Sequence, residues 1–187
     1  MGEGATKSYM SIGSSAGATH QRPDKVDGAY PFEVGITTIP QVNPEAPKVI
    51  SQGPSLCIFN RQNPQEVLAS WLFVKYLTTT VEFQAEFSMV SGYIPVIESV
   101  ADNATYKTKF LDKADGYENV AALSAKVGLS QADAYYTSPA FNGSSTARDE
   151  VGALMQTCFI SPAGSDVNAM IKKAFEAAVA TCKFKSQ

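Results

Sequence analysis

Between residues 63 and 92 the apolar positions fall at helical spacing. Val67, Leu68, Trp71, Leu72, Val74 and Leu77 form one stripe, the pattern of an amphipathic helix. Its start is marked three times over. Asn63 is a capping residue, Pro64 suits the first helical position, and Glu66 stands at the third. A second start lies within "TTTVE", where Thr79 and Glu82 have capping-box spacing and Phe83, Phe87 and Val90 form the next stripe. Gly92 predicts the stop. Two helices joined by almost no loop are therefore expected, followed by the turn "GYIPV".

The remaining pattern mixes helix and strand signals. "NATYKTKFLD" and "GYENVAALSAKVG" read as short amphipathic helices, and "STARDEVGALMQTCFI" as a helix capped by Ser or Thr. The final helix, "SDVNAMIKKAFEAAVATCKF", is expected to be capped by Ser165. Its apolar face carries Val167, Met170, Ile171, Ala174, Phe175 and Val179. "SYMSIG" and "YPFEVGITTIPQ" read as strands. "VISQGPSLCIFN" reads as a strand broken at Gly53-Pro54, which restricts it to an edge or a crossing between structural units. "QVNPEAPK" and "AYYTSPAFNGSS" read as loops.

Composition narrows the class. Of 187 residues, 44% are hydrophobic and 18% charged, as in a globular chain rather than a disordered one. The net charge of -3 and the absence of any Lys/Arg cluster of more than three residues argue against a nucleic-acid surface. No apolar run approaches the roughly 18 residues of a membrane span, and "MGEGATKSYM" has no apolar signal-peptide core. Strand-like sequence begins almost at once, which predicts a fragment of a longer chain. Three cysteines, Cys57, Cys158 and Cys182, leave at least one unpaired. Cys158 and Cys182 fall at opposite ends of an expected helix pair, so all three are expected to be buried free thiols.

Three places bear candidate chemistry. Tyr93 is fixed between Gly92 and Ile94-Pro95, so its phenol can meet a ligand at small entropic cost; a ring packed over Pro95 explains it equally. Arg148, followed by Asp149 and Glu150, is expected in the first turn of a helix, where a cation opposes the helix dipole and an anion would be welcome. Small residues at Ser14, Ser15 and Gly53 permit close backbone approach. "GSSAG" also fits the G-x-S-x-G elbow of serine hydrolases through Gly13, Ser15 and Gly17. The single His20 follows too soon to complete that triad, which makes an esterase using Ser15 a remote alternative.

The stretches "GATKSYMSIGSSAG", "VGITTIPQ", "ISQGPSLCIF" and "NPQEVLASWLFVKYLTTTVEFQAEFSMVSGYIPV" together resemble the C-terminal half of family 1 extracellular solute-binding proteins. The helix pair ending in Gly-Tyr-Ile-Pro is the most specific of them, and "YYTSPAFNGSSTARDEVG" resembles the segment closing the other side of the cleft. The resemblance implies an α/β, type II periplasmic-binding-protein-like fold of two lobes that clamp a solute. Residues 1–50 and 106–187 would belong to the C-terminal lobe, 51–58 would be a hinge crossing, and 59–105 would pack on an N-terminal lobe largely absent from this chain.

It also implies function. The chain would be the solute receptor of an ABC importer, with no catalysis and no cofactor. It would act in the periplasm or at the outer face of the cytoplasmic membrane, free or lipid-anchored. Its partners would be a small solute, a membrane permease and its own N-terminal lobe. In receptors for glycerol phosphates the tyrosine of this turn contacts the phosphate, and an Arg lies in the segment of Arg148, in wording that differs here. The implied ligand residues are Tyr93, Arg148, Ser14, Ser15, Gly53, Ser145 and Tyr136. The solute would be glycerol 3-phosphate or a glycerophosphodiester; the alternative is a sugar or oligosaccharide stacked on Tyr135, Tyr136 and Phe141. Trp71, the only Trp, is expected on a core helix face, which favours the smaller ligand. A purely structural surface domain is the third class, distinguished by a melting temperature that no small ligand moves.

Overall fold

The computed structural model describes residues 9–182, which divide after Tyr136 into two compact units. The first unit contains strand β1 (Val49–Ile50), helices α1 (Pro64–Thr79), α2 (Val81–Ser91), α3 (Ala104–Lys109) and α4 (Val120–Leu129), and strand β2 (Tyr135–Tyr136). A 3-10 helix, Ser15–Gln21, precedes them. The second unit contains α5 (Ser144–Phe159) and α6 (Val167–Cys182).

Local chemistry explains the helix ends. The Asn63 side chain accepts from the Gln65 N–H at 3.0 Å, and Pro64 occupies the first position. Asn103 and Asn119 cap α3 and α4 in the same way, accepting from the N–H groups of Tyr106 and Ala122. Gly92 closes α2 at φ 73°, where a side chain would be strained, and its N–H donates to the Ser88 carbonyl.

Other boundaries differ from expectation. Thr80, not Thr79, separates α1 from α2, and it makes no side-chain cap. Thr79 is instead the last residue of α1, and its hydroxyl bonds back to the Lys75 carbonyl at 2.8 Å. Gly143, at φ 91°, precedes α5 in place of a Ser or Thr. At α6 the capping oxygen belongs to Asp166, which accepts from the Ala169 N–H, rather than to Ser165; the end of that expected helix beyond Cys182 lies outside the described residues.

The core of the first unit is built from α2, the turn at Glu98–Val100, α3 and α4. Ala85, Val100, Tyr106, Phe110, Ala122 and Ala125 pack together there. Tyr106 is fully buried, and its hydroxyl meets Ser88 Oγ at 2.8 Å, so its polar end is satisfied. The side of α2 that enters the core is therefore Gln84, Ala85 and Ser88. Phe83 is half-buried, while Phe87 and Val90 are exposed, Val90 at 89%. The apolar spacing identifies a stripe, but the small residues beside it permit the close approach to α3.

α1 contains no buried residue. Trp71 is 52% exposed and Phe73 62%, with Leu68, Leu72 and Tyr76 also open. The apolar face that the sequence gives to Trp71 is therefore open in this chain, as expected of a helix that has nothing of its own to cover it. α1 touches α2 through Tyr76 against Phe83, with ring centroids 5.6 Å apart, and through Gln84 to the Leu77 carbonyl; its outer apolar surface is not covered within this unit.

Strand content is lower than the sequence pattern implies. Within the described residues of "SYMSIG", and in "YPFEVGITTIPQ", no strand forms. A strand needs a neighbour to take up its edge hydrogen bonds. Here the 9–41 segment forms an isolated bridge, Val26 to Ala29, and scattered single bonds, such as the Val34 N–H to the Gly116 carbonyl and the Ile39 N–H to Gln131 Oε1. The expected strand 49–60 shrinks to Val49–Ile50, which pairs in parallel with Tyr135–Tyr136 from a segment expected to be loop. Cation–π contacts of Arg22 and Lys25 with Tyr30, bonds from Arg22 to the Tyr117 and Glu118 carbonyls, and the Lys25–Glu118 ion pair anchor the extended chain instead.

In the second unit α5 and α6 run antiparallel. A β-carbon on Gly143 would stand 4.0 Å from the Cys182 carbonyl, while Ser161 near the other end of the pair reaches Met170 Sδ at 3.4 Å. Cys158 and Cys182 therefore lie at opposite ends, about 20 Å apart by helix rise. All three cysteines are free, as expected; Cys57 is exposed and the other two half-buried, so the expectation of burial is corrected. A helix pair covers only one face of each helix, and that leaves Val167, Ile171, Phe175 and Val179 open.

Candidate functional site

The turn after α2 is held through three of its backbone N–H groups. The Gly92 N–H donates to the Ser88 carbonyl at 2.9 Å, and the Tyr93 N–H to Ser91 Oγ at 3.2 Å. Pro95 has no N–H, and the Val96 N–H donates to Gln84 Oε1 at 3.1 Å. The side chain of Ile94 seats on α4, where a β-carbon at Gly128 would overlap it. Tyr93 is thus fixed from both sides, as its neighbours in the sequence imply.

Its ring is half-buried and stacks on Phe87, with centroids 6.4 Å apart and planes 10° from parallel. Phe87 stacks in turn on Phe83, and Phe83 contacts Tyr76. The ring is therefore placed by an aromatic row rather than by the Pro95 ring alone. The Tyr93 hydroxyl has no hydrogen-bond partner among the described residues. It is a donor on a rigid ring with its bonding capacity unused.

The turn lies against the Ser14–Ser15 segment. Gly92 is buried, and a β-carbon on it would stand 3.5 Å from Ala16 Cα and 3.8 Å from the Ser15 carbonyl. The Ser15 carbonyl also accepts from Ser124 Oγ on α4 at 3.4 Å. Ser14 is exposed, and its carbonyl accepts from the Gly17 N–H at 3.0 Å. Two stretches chosen from sequence and separated by about eighty residues are thereby adjacent.

Tyr136 and Gly53 are joined to this group less tightly. Tyr136 pairs with Ile50 across the parallel strands, and its carbonyl accepts from the Ser51 N–H at 2.8 Å. Gly53 follows in exposed irregular chain with nothing near its missing side chain. Both leave the carboxyl ends of parallel strands, the edge at which α/β sheets commonly bind ligands. Tyr135, just before, donates its hydroxyl to the Gly128 carbonyl at 2.6 Å, and burial raises its pKa. Helix α4 thus supports all three segments, through Ser124 and Gly128. Sequence reading assigned it no role at the site; the signal available was a glycine, Gly128, inside an otherwise strong helix pattern.

Ser145 and Arg148 belong to the second unit. Because α5 begins at Ser144, Ser145 is its second residue and Arg148 its fifth. Arg148 is one full turn in, beyond the end where the dipole acts most strongly, so the argument from the first turn is corrected. Arg148 and Ser145 are exposed, and Arg148 has no ion pair among the described residues. The adjacent Asp149 and Glu150 do not neutralise it.

The hydrolase elbow has no structural counterpart. An elbow places its serine on a tight turn from a strand into a helix. Here residues 9–14 form no strand, Ser15 opens a 3-10 helix, and His20 is exposed with no bond to Ser15. A shallow groove of about 340 Å³ between α1 and residues 56–61 is mostly apolar and gathers only Arg61 and Ser70 as polar side chains. No cluster of metal-ligating side chains occurs among the described residues.

The turn after α2 thus holds a phenol with no partner among the described residues beside a loop of small residues. The family model for bacterial extracellular solute-binding proteins matches residues 2–114, more than half the chain and all of the turn's surroundings except α4 and β2. The chain belongs to that family, whose members bind solutes outside the cytoplasm for ABC importers. The helical architecture with a parallel strand pair is compatible with an α/β binding-protein fragment. Neither a curated protein nor a solved structure gives a match. No helix among the described residues is long and apolar enough to cross a membrane.

Proposed function

We propose that this chain forms part of the solute cleft of an ABC-importer receptor, with Tyr93 as its central contact. The observation that carries this reading is the Tyr93 hydroxyl, unpartnered on a ring fixed by Phe87 and by the braced turn. Ser14, Ser15, Gly53 and Tyr136 would serve as further ligand residues, and so would Ser145 and Arg148 of the second unit, as the family resemblance implies. Closure of two lobes around the solute would present a closed form to the permease. The receptor would act in the periplasm or anchored by lipid at the outer face of the membrane, without catalysis.

The proposed solute is glycerol 3-phosphate or a glycerophosphodiester. An Arg148 and a Tyr93 phenol that have no partner among the described residues are groups suited to recognise a phosphate. The second reading is a sugar, favoured by exposed Tyr136 and Phe141, flat faces on which a pyranose can stack. In the proposed division, residues 1–50 and 106–187 lie in one lobe, 51–58 form the hinge, and 59–105 pack on the other lobe. The uncovered face of α1 supports that last assignment. The core shared by Ala85, Val100, Tyr106 and Phe110 spans residue 105 and weighs against a boundary at that point.

A thermal-shift screen of the full-length receptor against glycerol 3-phosphate, glycerophosphodiesters, glycerol and common sugars tests the reading. Stabilisation by the phosphorylated compounds alone is the expected result. Stabilisation by sugars alone transfers the assignment to the second reading, and no response to any solute removes Tyr93 as a binding residue for these classes.

A further inference from the structure

We infer that Gln84 is the positioning residue for Tyr93. Gln84 is a buried amide on α2, a place where polar groups are costly unless bonded. Both ends of it are engaged. Its Nε2 donates to the Leu77 carbonyl in the last turn of α1, and its Oε1 accepts from the Val96 N–H at 3.1 Å. One side chain therefore ties the end of α1 to the far side of the Tyr93 turn.

No other group described here can do this. The Gly92 and Tyr93 N–H groups are bonded within the end of α2 itself, to Ser88 and Ser91. Those bonds set where the turn leaves the helix, but not where it goes next. Pro95 cannot donate, so Val96 supplies the first N–H after the tyrosine that reaches back to α2. Without the Gln84 side-chain carbonyl the segment 94–96 loses its hydrogen bond to α2 and keeps the packing of Ile94 on α4. Replacing Gln84 by an apolar residue of similar length would leave two backbone groups unsatisfied, at Leu77 and at Val96.

The inference rests on the reading of Tyr93 as a solute contact for its functional meaning, but its structural content is tested without any solute. Amide exchange of Val96 and the ring resonances of Tyr93 are measured by NMR in the 187-residue chain carrying Gln84→Met, Gln84→Glu or Ser88→Ala. Ser88→Ala serves as the control, because it removes the buried bond to Tyr106 and spares the Val96 bond. In Gln84→Met, Val96 should exchange about tenfold faster, the size of one net hydrogen bond, and the Tyr93 ring should shift. Ser88→Ala, compared at equal distance below its own melting temperature, should do neither.

Gln84→Glu keeps an oxygen for Val96 but loses the donor to Leu77. It should restore slow exchange at Val96 while the Leu77 end of α1 loosens. If Gln84→Glu does not fold, the comparison of Gln84→Met with Ser88→Ala decides alone. Equal Val96 exchange in those two variants would overturn the inference. The separate reading of Tyr93 fails in a different way: Tyr93→Ala in the full-length receptor would leave solute affinity unchanged while the Val96 result stands.

Discussion

The side chain of Ile94 occupies the space that a β-carbon on Gly128 would need. One residue after Tyr93 is thus locked to α4 by the absence of a side chain there. Tyr135 bonds to the carbonyl of the same glycine, so one position on α4 organises two segments of the candidate site.

This contact predicts a reversal of sign. Gly128→Ala alone should destabilise, because overpacking costs about 1–3 kcal/mol and exceeds the gain in helix propensity of up to about 1 kcal/mol. With Ile94→Val, which removes the overlapping Cδ1, the same alanine should be neutral or stabilising. Urea denaturation of the four combinations measures the coupling. Additive effects would show that Ile94 moves aside freely.

The phosphate reading makes a prediction about two residues. In the full-length receptor Arg148→Ala should weaken binding of glycerol 3-phosphate by about 2–4 kcal/mol, as for loss of one partner of a buried charged contact. Tyr93→Phe should cost about 1 kcal/mol, one net hydrogen bond. Calorimetry that finds both affinities unchanged would leave the sugar as the better ligand.

The outer face of α1 predicts the behaviour of the isolated chain. Leu68, Trp71, Leu72, Phe73 and Tyr76 are all open, a larger apolar patch than soluble monomers usually carry. Light scattering should find species larger than the 20.0 kDa monomer, and Trp71→Glu with Phe73→Glu should reduce them. The isolated chain should bind solute weakly or not at all. A clean monomer with micromolar affinity would show that these 187 residues hold the whole site.

Tyr106 predicts an alkaline limit. Burial raises its pKa above the ordinary value of 10.0, with the bond to Ser88 acting in the opposite direction. The unfolded chain therefore loses this proton first. The stability linked to Tyr106 is fully present below about pH 10 and declines as pH rises from there through the folded-state pKa. Denaturation followed between pH 8 and 12 should show that decline, and Tyr106→Phe should flatten it (Tyr135, also raised, leaves a smaller slope).

Much of the helical framework was legible along the chain, because capping is local chemistry. Asn63 and Pro64 open α1 within three residues of sequence, and Gly92 closes α2 by a backbone angle only glycine adopts easily. The rigidity of Tyr93 followed from its two neighbours for the same reason. The starts at Thr79, Ser165 and the Ser/Thr of α5 were each misplaced slightly, since adjacent residues compete for one cap and small energies choose among them.

What the sequence determined by itself was therefore the helices, their ends and the stiffness of one turn. Tertiary structure decided what each face meets. Apolar spacing marks Phe87 and Val90 as strongly as it marks any core residue, yet Ala85 and Ser88 are buried, because the small side lets Tyr106 approach. "YPFEVGITTIPQ" has strand chemistry and no strand, because a strand exists only where another offers its edge. The placement of Ser15 beside Gly92, and of Ile94 over Gly128, joins residues far apart in the chain. Such contacts depend on shape matched in three dimensions, and no local pattern records them.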